Sequence, residues 1–427
     1  VRSAYYLLLL IVSVLLPNLP APLLAEDKTE SLEQAARDAR NRAKQGYERL
    51  SRRRTFDLDG VPYGATALPI TFFTPSSGLH YGGWLEVANY GREPYVYRAN
   101  FQWYLTTKGK RNHHMRLEFP TPFGLPVNAR LLTRDLKNRG ANFFGIGNDT
   151  KIDKQKTEEE SDYYRYLLEQ QQSAFDLEYA ELEPMIIFSG LRFNRGVPSR
   201  IDEVKADASY VFNLREGEVR GRGGGWANFI VVGLMFDSRN DQELPTAGLL
   251  SEASLQLGGS LLGADYGYRR ITLINTHYWR PSFLAPTSPN VLVTRVVFES
   301  LGDDAPFYEL TEVGGSIRGV EVGGGSFMRG FKTRRFADKK KMLYSAELRR
   351  TFKSVRWRGH YFETLGMLFG DAGRVAPSVG KVLDPAELHG SGGFGCRVTW
   401  NSQLSLRADF AASAEGNVVL LSFGNLF

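Results

Sequence analysis

The chain has 427 residues, 42% of them hydrophobic and 12% aromatic, with a formal net charge of +6. That is enough apolar material to fold, and the positive excess is too small to argue for a nucleic-acid partner. A mean hydropathy of −0.29 excludes a helical membrane protein, and a lone cysteine, Cys396, excludes an internal disulfide.

At the start, Arg2 precedes the apolar run Tyr5 to Leu16, and Pro17 to Ala25 ends on a small residue. This is the layout of a secretory signal peptide over residues 1–25, with no cysteine nearby to carry a lipid. Residues 26–56 are charged and helix-favouring. Ala36, Ala39, Ala43, Tyr47 and Leu50 form a thin stripe at helical steps, interrupted by Gly46. Acidic residues open the segment and Arg49, Arg52, Arg53 and Arg54 close it, which complements a helix dipole. A short helix or a linker is expected here.

From about Ala65 onward the period becomes two. Tyr97, Ala99, Phe101, Trp103 and Leu105 alternate with Arg98, Asn100, Gln102, Tyr104 and Thr106. Near the end, Leu404, Leu406, Ala408 and Phe410 alternate with Gln403, Ser405, Arg407 and Asp409. One apolar face and one face bearing arginine, glutamine and aspartate, repeated with no intervening helices, predict a transmembrane antiparallel β-barrel with a wet lumen. Strands are expected near 65–74, 79–90, 95–107, 111–119, 126–136, 162–181, 184–195, 225–238, 248–259, 267–281, 290–301, 342–352, 357–371, 391–400, 402–412 and 417–427. The longest connections, 137–161, 196–224 and 302–341, are then the fifth, seventh and eleventh. All three lie at one end, as expected if both termini are periplasmic and the outer loops are free to grow. The class is all-β, with the segment 26–56 as a short periplasmic helix or linker before the barrel 57–427.

Within this frame, Asn142 to Asn148 is an aromatic-glycine stretch, followed by a charged run through Glu160 that reads as a solvated loop. Arg220 to Gly225 reads as a flexible outer loop rather than a nucleic-acid tract. Gly314-Gly315 and Gly323-Gly324-Gly325 are not phosphate loops, since no helix follows. Cys396, at period two with Phe394, Val398 and Trp400, reads as a packed apolar residue. No metal-binding spacing links the six histidines, and no G-x-S-x-G element occurs. No catalysis, metal or cofactor is expected.

The stretch Gly323 to Phe352 carries the most information. A glycine between Arg329 and Phe331 lets the backbone turn sharply. A confined arginine needs a carboxylate partner, and Glu347 and Asp371 are the candidates. Asp371 shares parity with Leu365 and Met367, so it is expected to need a strand end or bulge to turn inward. Met328-Arg329-Gly330-Phe331, Glu347-Leu348-Arg349 and Phe369 to Gly373 resemble, in order, the loop, strand and F-x-D-x-G motifs of the BamA/TamA superfamily of outer-membrane barrels, the bacterial surface antigens. Phe236 to Asp241 with Pro245 to Gly248 resembles that family's strand-turn-strand pattern. The end of the chain, with Phe423, Gly424 and Phe427, resembles the signal that delivers barrels to their assembly machinery.

The resemblance implies an outer-membrane barrel of about sixteen strands that assists insertion or translocation of proteins or lipids, latched by a lumenal loop. Arg329, Gly330 and Phe331 would form that latch on Glu347 and Asp371. Expected partners are outer-membrane lipid and lipopolysaccharide, the assembly machinery through the C-terminal strand, and client polypeptides. The family's periplasmic substrate-binding domains have no room within 26–56. The alternative is a surface antigen or passive diffusion pore.

Overall fold

A computed structural model describes residues 55–74, 78–179, 181–201, 209–214, 218–241, 244–281, 290–314, 320–321, 327–401 and 404–423. The expected signal segment, all but the last two residues of the segment 26–56, Gly315, Gly323 to Gly325, Gly424 and Phe427 lie outside the described residues.

The strands are β1 (Thr55–Leu58), β2 (Val61–Thr74), β3 (Gly78–Asn89), β4 (Tyr97–Thr106), β5 (Arg111–Pro120), β6 (Val127–Asn142), β7 (Arg165–Tyr179), β8 (Met185–Ser199), β9 (Gly225–Asp237) and β10 (Gly248–Gly258). They continue with β11 (Arg269–Trp279), β12 (Asn290–Leu301), β13 (Glu312–Val313), β14 (Val320–Glu321), β15 (Lys340–Trp357), β16 (His360–Ala376), β17 (His389–Trp400), β18 (Leu404–Ser413) and β19 (Gly416–Phe423). All but β13 and β14 belong to one 17-stranded sheet. Registered antiparallel ladders join each neighbour from β2 to β12, β12 to β15, and β15 onward to β19. β1 folds back on β2 as a short hairpin. Each of the sixteen expected strands overlaps one of β2–β12 or β15–β19. Among the described residues no helix is long and apolar enough to cross a membrane.

Alternation sorts the side chains as the barrel requires. Leu368, Phe394, Leu406 and Phe410 are exposed outward, whereas Ser345, Glu347, Asp371, Arg397, Arg407 and Asp409 are buried on the inner face. Without water in the bilayer, the backbone pairs within the sheet and the outer row stays apolar. Two expectations need correction. Leu365, Met367 and Phe369 share the inner face with Asp371 and pack against Ala411, so Asp371 needs no bulge. The register shift in the β15–β16 pair falls instead between Thr351 and Lys353. The parity argument failed because the inner wall is itself partly apolar here. Cys396 is not packed but exposed, on the outer face with Phe394.

The long connections at one end fold inward. Phe307, Tyr308 and Leu310 of the β12–β15 connection, with Val211 and Val219 of the β8–β9 connection, pack against Phe143, Tyr166, Phe188 and Phe229. The arginine-glycine tract is not a free loop: Arg220 pairs with Asp304 at 2.6 Å and Arg222 donates to the Leu214 carbonyl at 2.7 Å. A different connection, after β16, lies outside the wall. There Val382 packs on Leu273, Phe298 and Met342, and Arg374 donates to the Asp384 carbonyl at 2.7 Å.

The face assignment is testable. Leu368, at the middle of β16, faces lipid, so Leu368→Lys is expected to destabilise the bilayer-inserted barrel by about 2–4 kcal/mol. Gln102→Lys, on the inner face of β4, is expected to change it by less than about 1 kcal/mol. Urea unfolding in liposomes measures both.

Candidate functional site

The β12–β15 connection returns to the wall at Phe327. Phe327, Met328, Phe331 and Phe336 pack on Val297, Leu343 and Val375, which places the loop on the inner face. A tight turn follows, with Met328 at φ 54° and Gly330 at φ 93°, closed by Phe331 N–H donating to the Met328 carbonyl at 3.2 Å. Gly330 is required twice over. Its φ disfavours a side chain, and a Cβ there would sit 3.0 Å from the Ala412 carbonyl carbon.

Arg329 is fully buried. Its Nε and Nη2 donate to Asp371 Oδ2 and Oδ1, both at 2.7 Å, and its backbone N–H donates to Oδ2 at 3.0 Å. Nη1 donates to Glu347 Oε1 at 2.6 Å and Nη2 also reaches Ser345 Oγ at 3.1 Å. The guanidinium lies over the Phe369 ring, 3.6 Å from its centroid. The antiparallel register explains this seat. Ser345 stands opposite Asp371 and Glu347 opposite Phe369, so two neighbouring inward rows offer a hydroxyl, two carboxylates and a ring to one planar fork. Gly393, next along the wall, leaves room for the Phe369 ring, since a Cβ there would meet its Cζ at 2.7 Å.

The charges extend beyond this seat. Arg349 Nε donates to Glu347 Oε2 at 2.8 Å, and Arg407 pairs with Asp409, whose Oδ2 lies 3.9 Å from Arg329 Nη1. Phe331 takes no part in the ion cluster. It packs edge-on to Phe336 at 5.3 Å, and Phe336 stacks on His389 at 4.4 Å. The aromatic-glycine stretch meets the loop here. Gly147 N–H donates to the Ala337 carbonyl at 2.8 Å, Asn142 Nδ2 to the Thr333 carbonyl at 3.0 Å, and His389 Nε2 contacts the Asn148 carbonyl at 3.0 Å.

The loop also touches the last hairpin. Ser413 Oγ donates to the Gly330 carbonyl at 2.7 Å, and Arg335 Nε donates to Glu415 Oε1 at 2.6 Å. Arg335 Nη1 donates to Thr150 Oγ1 at 2.7 Å, with its guanidinium between Phe144 and Phe336. Thus the structure brings Arg329, Gly330, Glu347 and Asp371 together and sets Phe331 beside them. Sequence reasoning missed Ser345, Asp409, Ser413, Arg335 and Glu415. Ser345 was findable from register, two residues before Glu347 on the same face; the others depend on how the loop folds back. Phe423 pairs through its backbone with Leu406 at the end of β19. The arrangement ties the loop to the wall and to the last hairpin through ion pairs and hydrogen bonds.

Arg329→Ala leaves Asp371 and Glu347 without their fork and is expected to destabilise the folded barrel by about 3–5 kcal/mol. Arg329→Lys, lacking the planar fork, is expected to recover only part. Heat-modifiable migration and urea midpoints measure both. The Arg335–Glu415 contact is expected to survive charge exchange. Arg335→Glu or Glu415→Arg alone should speed amide exchange in residues 416–421, and the double variant should slow it again.

Comparison with known proteins places this geometry. None of the curated proteins matches the chain. Among solved structures it is similar to CdiB from Escherichia coli, with 13% identity over 97% of this chain and 71% of that one and a TM-score of 0.55, which shows the barrel fold. It is also similar to BamA from Haemophilus ducreyi lacking POTRA domains 1–3 (16% identity, 84% and 68% covered, TM-score 0.49) and to CdiB from Acinetobacter baumannii (12%, 86% and 60%, TM-score 0.46). Residues 137–417, more than half the chain and including the whole arginine-loop site, match the Omp85 superfamily domain, and the chain belongs to the Omp85 superfamily.

Proposed function

We propose that this Omp85 barrel sits in the outer membrane with its long loops outward and both termini periplasmic. There it assists insertion or translocation of polypeptides, or of lipids, without enzymatic chemistry. The observation that carries the reading is the dual attachment of the arginine loop. Arg329 is bound to the wall of β15 and β16, while Gly330 and Arg335 are bound to the β18–β19 hairpin. The loop thereby couples the shape of the wall to the position of the last strand, the element that a barrel must displace to admit a client laterally. Clients are met at that strand, the assembly machinery reads its end at Phe423, Gly424 and Phe427, and lipopolysaccharide surrounds the outer rim.

The passive-pore reading is disfavoured by the packing of Phe307, Tyr308, Leu310, Phe331 and Phe336, all nearly inaccessible, inside the outer half of the lumen. Depletion of the protein, followed by a quantitative outer-membrane proteome, separates the two. Loss of specific outer-membrane proteins or surface lipids, restored by the wild type and not by a folded Arg329→Lys variant, is expected. Unchanged composition with altered solute uptake would sink the insertion reading.

A further inference from the structure

The hairpin of β15 and β16 ends in an exposed tip away from the long loops. The two strands are 18 and 17 residues long, and every residue from Phe352 to Gly359 is exposed. The bulge between Thr351 and Lys353 sets the parity. After it, Lys353, Val355 and Trp357 stand opposite Thr364, Phe362 and His360, on the same outer face as Leu368 and Phe394.

That face carries an aromatic platform. Phe362 stacks on Trp400 at 6.1 Å, His360 meets Trp400 edge-on at 5.2 Å, and Trp400 Nε1 donates to His360 Nδ1 at 3.0 Å. Phe352 and Trp357 extend it, 67% and 58% exposed. The charge on the hairpin is one-sided. Arg350, Lys353, Arg356 and Arg358 are exposed, and among the described residues no ion pair engages them; the acid within 350–363 is Glu363, which accepts from Thr351. Arg358 instead lies over the Trp357 ring at 4.9 Å.

Rings continuous with a lipid-facing row belong at the headgroup level, and long basic side chains there keep their charges at the interface. An acidic protein partner would satisfy the cations but would leave the outward rings in lipid. We propose that the hairpin 350–363 is a binding site for anionic phospholipid, with the phosphodiester held by Lys353 and Arg358 and the glycerol and upper acyl region resting on Trp357 and Phe362. The site rests on the membrane-embedded barrel and is independent of what the barrel inserts or translocates.

Native mass spectrometry of the detergent-solubilised full chain tests it, with dioleoyl phosphatidylglycerol and dioleoyl phosphatidylethanolamine as probes. A cation beside an anionic surface is worth about fivefold in affinity. The glycerol lipid is therefore expected to bind at least about tenfold more tightly, with the preference lost in Lys353→Gln/Arg358→Gln. A control with the same charge change at the opposite end, Lys151→Gln/Lys154→Gln, is expected to keep it. Equal binding of the two lipids by the wild-type chain overturns the site, as would be found if an acidic protein were the natural partner. So does an equal loss in the control. The wild-type comparison stands even if the double variant fails to fold. A client-free depletion result would remove the insertion reading and leave this site untouched.

Discussion

A guanidinium with no solvent contact, inside a barrel wall, is the constraint on which the rest of the architecture turns. Burying Arg329 is unfavourable unless every donor finds a partner, and the wall supplies them from two adjacent strands in one register. A one-residue slip of β16 against β15 would send Asp371 to the lipid face and leave the arginine unpaired. The ion cluster therefore does less for net stability than for uniqueness: it penalises other registers and other loop positions far more than it rewards the native one. Phe369 adds to this selectivity, since only a flat cation directly above its ring gains from the contact.

From that fixed point the barrel wall is braced on both sides. Inside, Phe327, Phe331 and Phe336 cover Val297, Leu343 and Val375; outside, Val382 covers Leu273, Phe298 and Met342. Successive residues of a strand point to opposite faces, so Val297 and Phe298, or Met342 and Leu343, serve the two layers in turn. A single sheet is thin, and a wall packed on both faces resists bending in a way that bare strands do not. The strands elsewhere face lipid directly, so stiffness is concentrated where the arginine is held.

Most of the barrel was legible in the sequence because alternation is a local property. The strands could be read from runs such as Ala99 to Thr106 without knowing what paired with what, and the resemblance suggested their number. Arg329, Glu347 and Asp371 were legible as chemistry, since a confined arginine demands carboxylates, and the resemblance supplied their order. What failed was inference across strands. Asp371 was expected to need a strand end or bulge to turn inward because Leu365 and Met367 looked like lipid contacts; they face inward with it and pack against Phe369 and Ala411. Cys396 looked packed because its neighbours are apolar, but on this fold apolar neighbours mark the outer surface. Ser413 and Glu415 carried no signal, because their roles depend on where a distant loop comes to rest.

The contacts of the arginine loop are unequal, and the inequality gives the assembly an order of release. Arg329, Glu347 and Asp371 have almost no solvent contact, so their attraction is little screened and each depends on the other two. At the terminal hairpin the partner of Arg335 is different: the Glu415 side chain is 24% exposed, so water and salt reach it. The Ser413–Gly330 hydrogen bond is a neutral one, of the order of 1 kcal/mol. A force that displaces the last hairpin thus meets its weakest resistance at Ser413 and Glu415 and its strongest at Arg329. The hairpin can detach while the loop remains seated on β15 and β16, so the wall keeps its register and the hairpin has the same place to return to. An arrangement with the energies reversed would lose the loop first and with it the template for closing again.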